Sequence, residues 1–431
     1  MNIPKILTEK ADETEAKLKE IYPELAPFFK KCFLNTIETT VTPLDDGSYF
    51  VITGDIPAMW LRDSAAQLKP YIRFAPYDDS LKEIFRGVIA RQSYYVNIDP
   101  YSNAWCASKT NNAAVDKTDF YNDLIWERKY ETDSLCAPVF LAHEYYHATL
   151  DNSIFTESFK GMLEKIVEVF EREQNHASSS HYFFKRENCP ATDTLPNDGL
   201  GNEVSYTGMT WSGFRPSDDR CLYGYLVPSN MMAVCALKKA AELASVGFND
   251  NKLESECRSL AFDIEDGINN YAVIETESNG KIFAYETDGK GKYLLMDDAN
   301  SPSLLSAPYL GYLKPENEIY KNTRKFILSN SNPWYFDGAA AKGIGSPHTG
   351  SGKIWHISLI MQALTSTDPK EIRDCVSMIT STHAGTYFMH ESFDKNDPSD
   401  FTRPWFAWAN SLFAELMLEI ADGKFTKMLF N

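Results

Sequence analysis

Apolar residues recur at helical spacing from one end of the chain to the other. In 80–92, Leu81, Ile84, Phe85, Val88 and Ile89 fall on one stripe, and Ser80 with Glu83 has the spacing of a capping box at its start. In 155–173, Phe155, Phe159, Met162, Leu163, Ile166 and Phe170 repeat that stripe against Glu and Lys. The same periodicity predicts helices near 5–20, 24–40, 63–74, 133–151, 229–246, 251–271, 303–312, 317–329, 354–365, 369–382 and 404–422. Strand signals are few: 48–53, 181–186 and 281–287 predict small hairpins, the last bounded by Asn279-Gly280 and Asp288-Gly289. No repeat, linker or composition shift divides the chain. The pattern therefore predicts an all-α fold of paired helices in a single domain over 1–431. A closed α/α toroid and an open helical solenoid both satisfy it.

Composition narrows the function more than the fold. The hydrophobic fraction is 43% and the charged fraction 24%, enough apolar surface for a large core in 431 residues. A net charge of −18 argues against nucleic acid or anionic membrane as partner and favours a neutral ligand. The 8 cysteines form no C-x-x-C pair, and several, such as Cys136 and Cys235, sit in apolar helical stretches. Free thiols of this kind predict a reducing, cytoplasmic location. The first residues carry no apolar run of signal-peptide length, and no segment approaches the length of a bilayer span.

The unusual residues gather between the helices, in loops that combine Trp, Gly, Asp, Arg and His. These are Thr53-Gly54-Asp55-Ile56-Pro57-Ala58-Met59-Trp60-Leu61-Arg62-Asp63-Ser64, Thr210-Trp211-Ser212-Gly213-Phe214-Arg215-Pro216-Ser217-Asp218-Asp219, Met296-Asp297-Asp298-Ala299-Asn300-Ser301-Pro302, Gly343-Ile344-Gly345-Ser346-Pro347-His348-Thr349-Gly350, and Gly385-Thr386-Tyr387-Phe388-Met389-His390-Glu391-Ser392-Phe393. Flat aromatic faces suit the C–H faces of a pyranose, while carboxylate, guanidinium and amide groups hold hydroxyls in fixed geometry. Loops on a rigid helical scaffold are a usual place for such a site. A competing signal is His143-Glu144-Tyr145-Tyr146-His147, which matches the H-E-x-x-H helix of zinc peptidases, with Glu164 or Glu168 as third ligand. Cys136, Phe140, His143, His147 and Leu150 form one stripe, however, and predict a helix face packed inward.

The loop Asp55-Ile56-Pro57-Ala58-Met59-Trp60-Leu61-Arg62-Asp63-Ser64 resembles the signature of glycoside hydrolase family 125, the exo-α-1,6-mannosidases. The similarity runs on through Tyr130-Glu131-Thr132-Asp133-Ser134-Leu135, Phe214-Arg215-Pro216-Ser217-Asp218-Asp219, Asp297-Asp298-Ala299-Asn300 and His390-Glu391-Ser392. Trp-x-Arg-Asp alone is less specific, since other (α/α)₆ glycosidases carry a similar loop; the conjunction is strongly specific. The resemblance implies an (α/α)₆ barrel and an inverting mechanism with no metal or cofactor. The implied substrate is a mannose-containing oligosaccharide, such as an N-glycan fragment, losing its terminal α-1,6-linked mannose. It implies Asp218 as general acid and Glu391 as general base, with Arg62 and Asp63 on the mannose hydroxyls. Trp60, Asp133, Trp211, Arg215, Asp298, Asn300 and His348 are the further candidates for holding sugar.

An inverting pair stands roughly 6.5–9.5 Å apart to admit a water, and the acid stays protonated only if burial or a like charge raises its pKa. Asp219 is the neighbour expected to crowd Asp218, and Tyr387, Phe388 and Phe393 are expected to wall Glu391, with His390 behind it. On the residues alone, simpler roles stand beside these. Asp218 and Asp219 suit helix capping, Glu391 an ion pair with Arg403, and Arg62 with Asp63 a loop-locking salt bridge. Asp298 and Asn300 suit turns beside Pro302, and His348 a bond within its own loop. A non-catalytic sugar-binding protein shares the loops but needs neither acid nor base.

Overall fold

The computed structural model describes residues 3–110 and 116–423. Its helices are α1 (Lys5–Ile21), α2 (Ala26–Thr39), α3 (Leu61–Leu68), α4 (Asp79–Ile98), α5 (Thr132–Thr149), α6 (Glu157–Gln174), the single turn α7 (His176–Ser179), α8 (Val227–Phe248), α9 (Asn251–Tyr271), α10 (Glu318–Ile327), α11 (His356–Thr365), α12 (Pro369–Ser381) and α13 (Ala407–Ala421). They form two concentric rings, an α/α toroid. Along the inner ring α3 packs on α5, α5 on α8, α11 on α13, and α13 back on α3. Segment 301–312 fills the inner position between α8 and α11, and all six inner pieces line one small apolar cavity on the axis.

Two sequence patterns explain the two rings. Helices α6, α9 and α12 carry one buried stripe against Glu and Lys, as a helix with one wet face requires. Helices α5, α8 and α13 are buried on nearly every face and are correspondingly apolar. One hydrophobic cluster runs from Leu7 to Ile420 through both rings.

Several expectations change at the element level. The helix expected over 303–312 is a run of turns, entered through a cis Ser301–Pro302 bond. Its serines compete with the backbone: Ser303 and Ser306 hydrogen-bond each other's main chain, while the Asp297 carboxylate accepts from the Leu304 and Leu305 amides. The helix expected over 63–74 is α at Leu61–Leu68 and then 3₁₀ over Lys69–Tyr77, where Pro70 and Pro76 lack the amide an α ladder needs. Helix α4 is capped two residues earlier than the Ser80/Glu83 spacing suggests. Asp78 is its N-cap and accepts from Leu81 N at 3.1 Å.

Of the expected hairpins, Tyr49–Val51 pairs with Val41–Pro43, and Gly280–Phe283 with Val273–Thr276 across Asn279-Gly280. Phe184–Lys185 instead pairs with the distant Lys117–Thr118. Three small sheets stand at the mouth of the barrel, joining 59–60 to 104–105 and 125–127, 225–226 to 286–287 and 293–294, and 353–355 to 392–394 and 401–402. All 8 cysteines are free. Among the described residues no helix is long and apolar enough to cross a membrane.

The ring is latched where its first and last parts meet. Asp55 N donates to Trp405 O, and Ala407 N donates to Thr53 O. Gly54 between them has φ +124°, and a Cβ there would lie 2.5 Å from Trp405 O. Gly54→Ala is therefore expected to lose about 1–3 kcal/mol of stability, read as a lower Tm at unchanged secondary structure.

Candidate active site

The N-termini of inner helices converge at the mouth of the toroid. The N-cap residues of α3, α5, α11 and α13 are Trp60, Glu131, Trp355 and Phe406, and none makes a side-chain capping bond. The positive ends of these helices thus favour anionic groups at this end of the barrel. Carboxylates stand there. Trp60, Arg62, Asp63, Asp218, Asn300, His348, Trp355, Glu391, Arg403 and Phe406 line one small cavity.

Arg62 forms the floor. Its guanidinium, 4% exposed, donates to Glu131 Oε2 at 2.6 Å and Asp133 Oδ2 at 3.0 Å, and lies 3.4 Å from Asp63 Oδ2. It lines both this cavity and the apolar one beneath. Asp133 also accepts from Ser229, and Glu131 from Ser134. Burial pushes the Asp63, Glu131 and Asp133 carboxyls up, against the pull of Arg62, and Glu131 goes well above its usual range.

Asp218 sits in a tight loop, not on a helix. Asp218 N donates to Arg215 O, Arg215 N donates to Asp219 O, and Asp218 has φ +70°, a left-handed conformation that costs energy for a non-glycine residue. Asp218 is half-buried, with its Oδ1 shielded from solvent. Burial opposes ionisation, but the Lys129, Arg62 and His348 charges outweigh it and, with a hydrogen bond to Glu131, hold Asp218 below its usual range. Burial first, and then the Asp218 charge, raise Glu131 well above its usual range against the pull of Arg62, so the opposite shifts of the two carboxyls favour a proton on Glu131 over Asp218.

Glu391 is held from the other side. Thr402 Oγ1 donates to Glu391 Oε2 at 2.9 Å, and the Ser392 hydroxyl, 2.7 Å from Thr402 Oγ1, completes the chain. Arg403 Nη1 stands 3.7 Å from Glu391 Oε1, while its other nitrogens bind Asp55. Among the described residues, Trp60 Nε1, Arg62 Nε, Asp63 Oδ2 and Asp218 Oδ1 are buried without a hydrogen-bond partner. Donors and acceptors left bare in one cavity are what a polyhydroxylated ligand satisfies.

The family model of the metal-independent alpha-mannosidases, glycoside hydrolase family 125, matches residues 22–418. The chain belongs to this family. It is a glycoside hydrolase, an α-mannosidase. A solved Streptococcus pneumoniae metal-independent alpha mannosidase, in a non-productive complex with alpha-1,6-mannobiose, is 44% identical. It superposes with a TM-score of 0.94 over 97% of this chain and 98% of that one. The meiotically up-regulated gene 157 protein of Schizosaccharomyces pombe is 38% identical over 93% of this chain and 83% of its own length. A bacterial glucoamylase complexed with acarbose shares only the fold, with 11% identity and a TM-score of 0.56 over 85% of this chain and 49% of that one.

The mannosidase cavity gathers Trp60, Arg62, Asp63, Asp218, Asn300, His348 and Glu391 from the residues expected in a site, although the chain separates them widely. Asp133 lies just behind, on Arg62. Asp298 is buried and accepts from Ser217 Oγ at 2.8 Å, which braces the Asp218 loop. Asn300 lines the cavity and also donates to Pro216 O. The His348 ring binds Asp219 rather than its own loop, and this bond together with nearby carboxylates raises its pKa to about 9 against the effect of burial.

Two candidates stand elsewhere. Arg215 turns away and binds Glu286 at 2.7 Å, whose other oxygen accepts from the Leu222 and Tyr223 amides. Trp211 is fully buried, stacked on His176 with ring centroids 3.6 Å apart. Both shape the scaffold under the Asp218 loop. The expected capping role of Asp218 and Asp219 also falls away, since the next helix, α8, starts at Val227.

The wall beside Glu391 is Trp355 and Phe406, not the expected Tyr387, Phe388 and Phe393. Tyr387 is exposed, Phe393 packs on His356, and His390 stacks on Phe401. The residue that crowds Asp218 is Glu131, not Asp219. Glu131 stands inside the family-like stretch 130–135, so its adjacency to Asp133 was the available signal; Lys129 and Thr402 carried none.

The His143/His147 face departs from expectation too. It does not pack inward: His147 is 47% exposed at its side chain, and Leu150 is exposed beyond the end of α5. Glu144 lines the axial cavity on another side of the helix, while Glu164 and Glu168 pair with Lys160 and Arg172. A peptidase arrangement is therefore not assembled around these residues.

Proposed function

We propose that this α-mannosidase removes non-reducing terminal α-1,6-linked mannose with inversion, using Asp218 as general acid and Glu391 as general base. The observation that carries the reading is that these two carboxylates line one cavity and are supported in opposite ways. Asp218 stands with Glu131, whose carboxyl is raised well above its usual range and is placed to supply it a proton, whereas Glu391 has acceptor lone pairs oriented by Thr402 and Arg403. The acid protonates the leaving glycosidic oxygen, and the base takes a proton from a water attacking the anomeric carbon from the other face. The Arg62 floor favours a terminal sugar over a chain passing through. The α-1,6 linkage is supported by the mannobiose bound to the S. pneumoniae relative.

The deciding experiment is proton NMR of the first-formed product from α-1,6-mannobiose. Initial β-mannose supports inversion; initial α-mannose overturns it. The main hydrophobic cluster, which spans Leu7 to Ile420, supports one catalytic domain over 1–431, and the free, mostly buried thiols support a cytoplasmic enzyme acting on small mannosides or N-glycan fragments.

Glu131 gives this reading a pH signature. The Asp218–Glu131 pair releases its last proton at a pKa raised by the first negative charge, and activity falls as pH rises through that value. In Glu131→Gln that charge is gone, while Lys129, Arg62 and His348 still pull Asp218 down. The basic limb of the kcat/KM profile is therefore expected to move to lower pH by about one unit or more.

A further inference from the structure

Helix α5 carries two unrelated clusters at its two ends. Its first turn holds Asp133 beside the N-cap Glu131, in the active site. Three turns on, the rings of His143 and His147 lie side by side, with centroids 4.3 Å apart, as residues four apart on a helix do. Facing them from α8 is Glu242. Its Oε2 lies 3.1 Å from His143 Nε2 and its Oε1 2.8 Å from His147 Nε2. All three ligand atoms fall within 4.8 Å of one another.

We propose that His143, His147 and Glu242 form a peripheral binding site for a zinc-class divalent cation, which would clamp α5 to α8 away from the chemistry.

The donor set fits. Two imidazole nitrogens and one carboxylate oxygen suit Zn(II), Co(II), Ni(II) or Cu(II), whereas Mg(II) and Ca(II) prefer all-oxygen shells. Ligand atoms around tetrahedral zinc stand about 3.4 Å apart, close to the separations across Glu242. Access is open, since the His147 and Glu242 side chains are 47% and 42% exposed, and that side leaves room for water as the remaining ligand. From Glu131 to His143 is roughly 18 Å along the helix, so the cation would touch neither Asp218 nor Glu391. Glu144, the base of a peptidase motif, faces the axial cavity, and the role is therefore structural.

One neighbour opposes binding. Lys239, one turn before Glu242 on α8, places its Nζ 3.3 Å from His143 Nδ1. A metal on Nε2 requires a proton on Nδ1, so the ammonium must swing away, and its charge repels the cation throughout. The competition makes the proposal specific, because removing Lys239 must strengthen binding.

The test is calorimetric titration of untagged, chelator-treated enzyme with ZnCl₂, with CoCl₂ absorbance reporting the ligand set. Wild type is expected to take up one equivalent and to gain Tm with zinc. His147→Ala and Glu242→Gln, both at exposed positions, are expected to lose at least the roughly tenfold to hundredfold that loss of an outer-shell partner costs. Lys239→Met is expected to bind more tightly than wild type. Mannosidase activity is expected to be equal with chelator and with zinc in all four proteins. The proposal is overturned if no zinc binds, if the His147 and Glu242 variants bind it as wild type does, or if chelation abolishes activity.

Discussion

Asp218→Asn is expected to lower kcat/KM on α-1,6-mannobiose by about 10²–10⁴-fold, the usual contribution of a general acid, while leaving the Tm close to wild type. The amide matches the carboxyl in size and can keep a hydrogen bond to Glu131, but it has no proton to give to the departing oxygen. The loss should depend on the leaving group. A mannoside whose aglycone is already a weak base, such as a dinitrophenyl mannoside, needs little protonation and should recover most of the rate. Glu391→Gln should behave differently, because water activation is required whatever leaves. Its deficit should be similar for both substrates. Equal deficits for Asp218→Asn on both substrates would remove Asp218 from the role of acid.

Helices were legible in the sequence wherever one face is wet. The stripes of α6, α9 and α12 give both their presence and their approximate ends, because burial on one side of a helix imposes the spacing directly. Segment 301–312 carries enough apolar residues to read as helix, yet its serines and prolines satisfy the backbone another way. The pairing of Lys117–Thr118 with Phe184–Lys185 has no local signature at all. Inner helix starts are obscure for a reason tied to function. Their N-caps are Trp60, Glu131, Trp355 and Phe406, chosen for the cavity they line or support rather than for capping.

The site divides along the same boundary. Composition and spacing lead to aromatic and polar loops suited to a neutral sugar, and only the family resemblance singles out Asp218 and Glu391 among the acidic residues. The environment of those two could not be read along the chain. Glu131, Lys129 and His348 reach Asp218 only through the fold, and Thr402, eleven residues on from Glu391, reaches it through a short strand pairing. Arg215 illustrates the opposite error. A buried guanidinium three residues from the candidate acid looks like a sugar ligand until Glu286 is found to occupy it.

The largest expected effect on stability comes from Arg62. Arg62→Met keeps the length of the side chain but leaves Glu131, Asp133 and Asp63 buried with their shared cation gone. Breaking a buried ion cluster by removing one partner typically costs about 3–5 kcal/mol, so a marked fall in Tm is expected alongside loss of activity. The pH dependence gives the loss a signature. Burial already raises these carboxyls above their usual values, and Arg62 opposes that shift. Without Arg62 their folded-state pKa values rise further. A carboxyl with a raised folded-state pKa favours folding below its unfolded value of about 4, and that contribution is lost as pH rises towards the folded value. The gap in Tm between Arg62→Met and wild type is therefore expected to widen as pH rises from about 4 through neutrality. Neutralising one partner should narrow it, so Arg62→Met with Glu131→Gln is expected to melt above Arg62→Met alone while remaining inactive. A Tm gap that is constant across this pH range would mean that Arg62 stabilises the barrel by packing rather than by its charge.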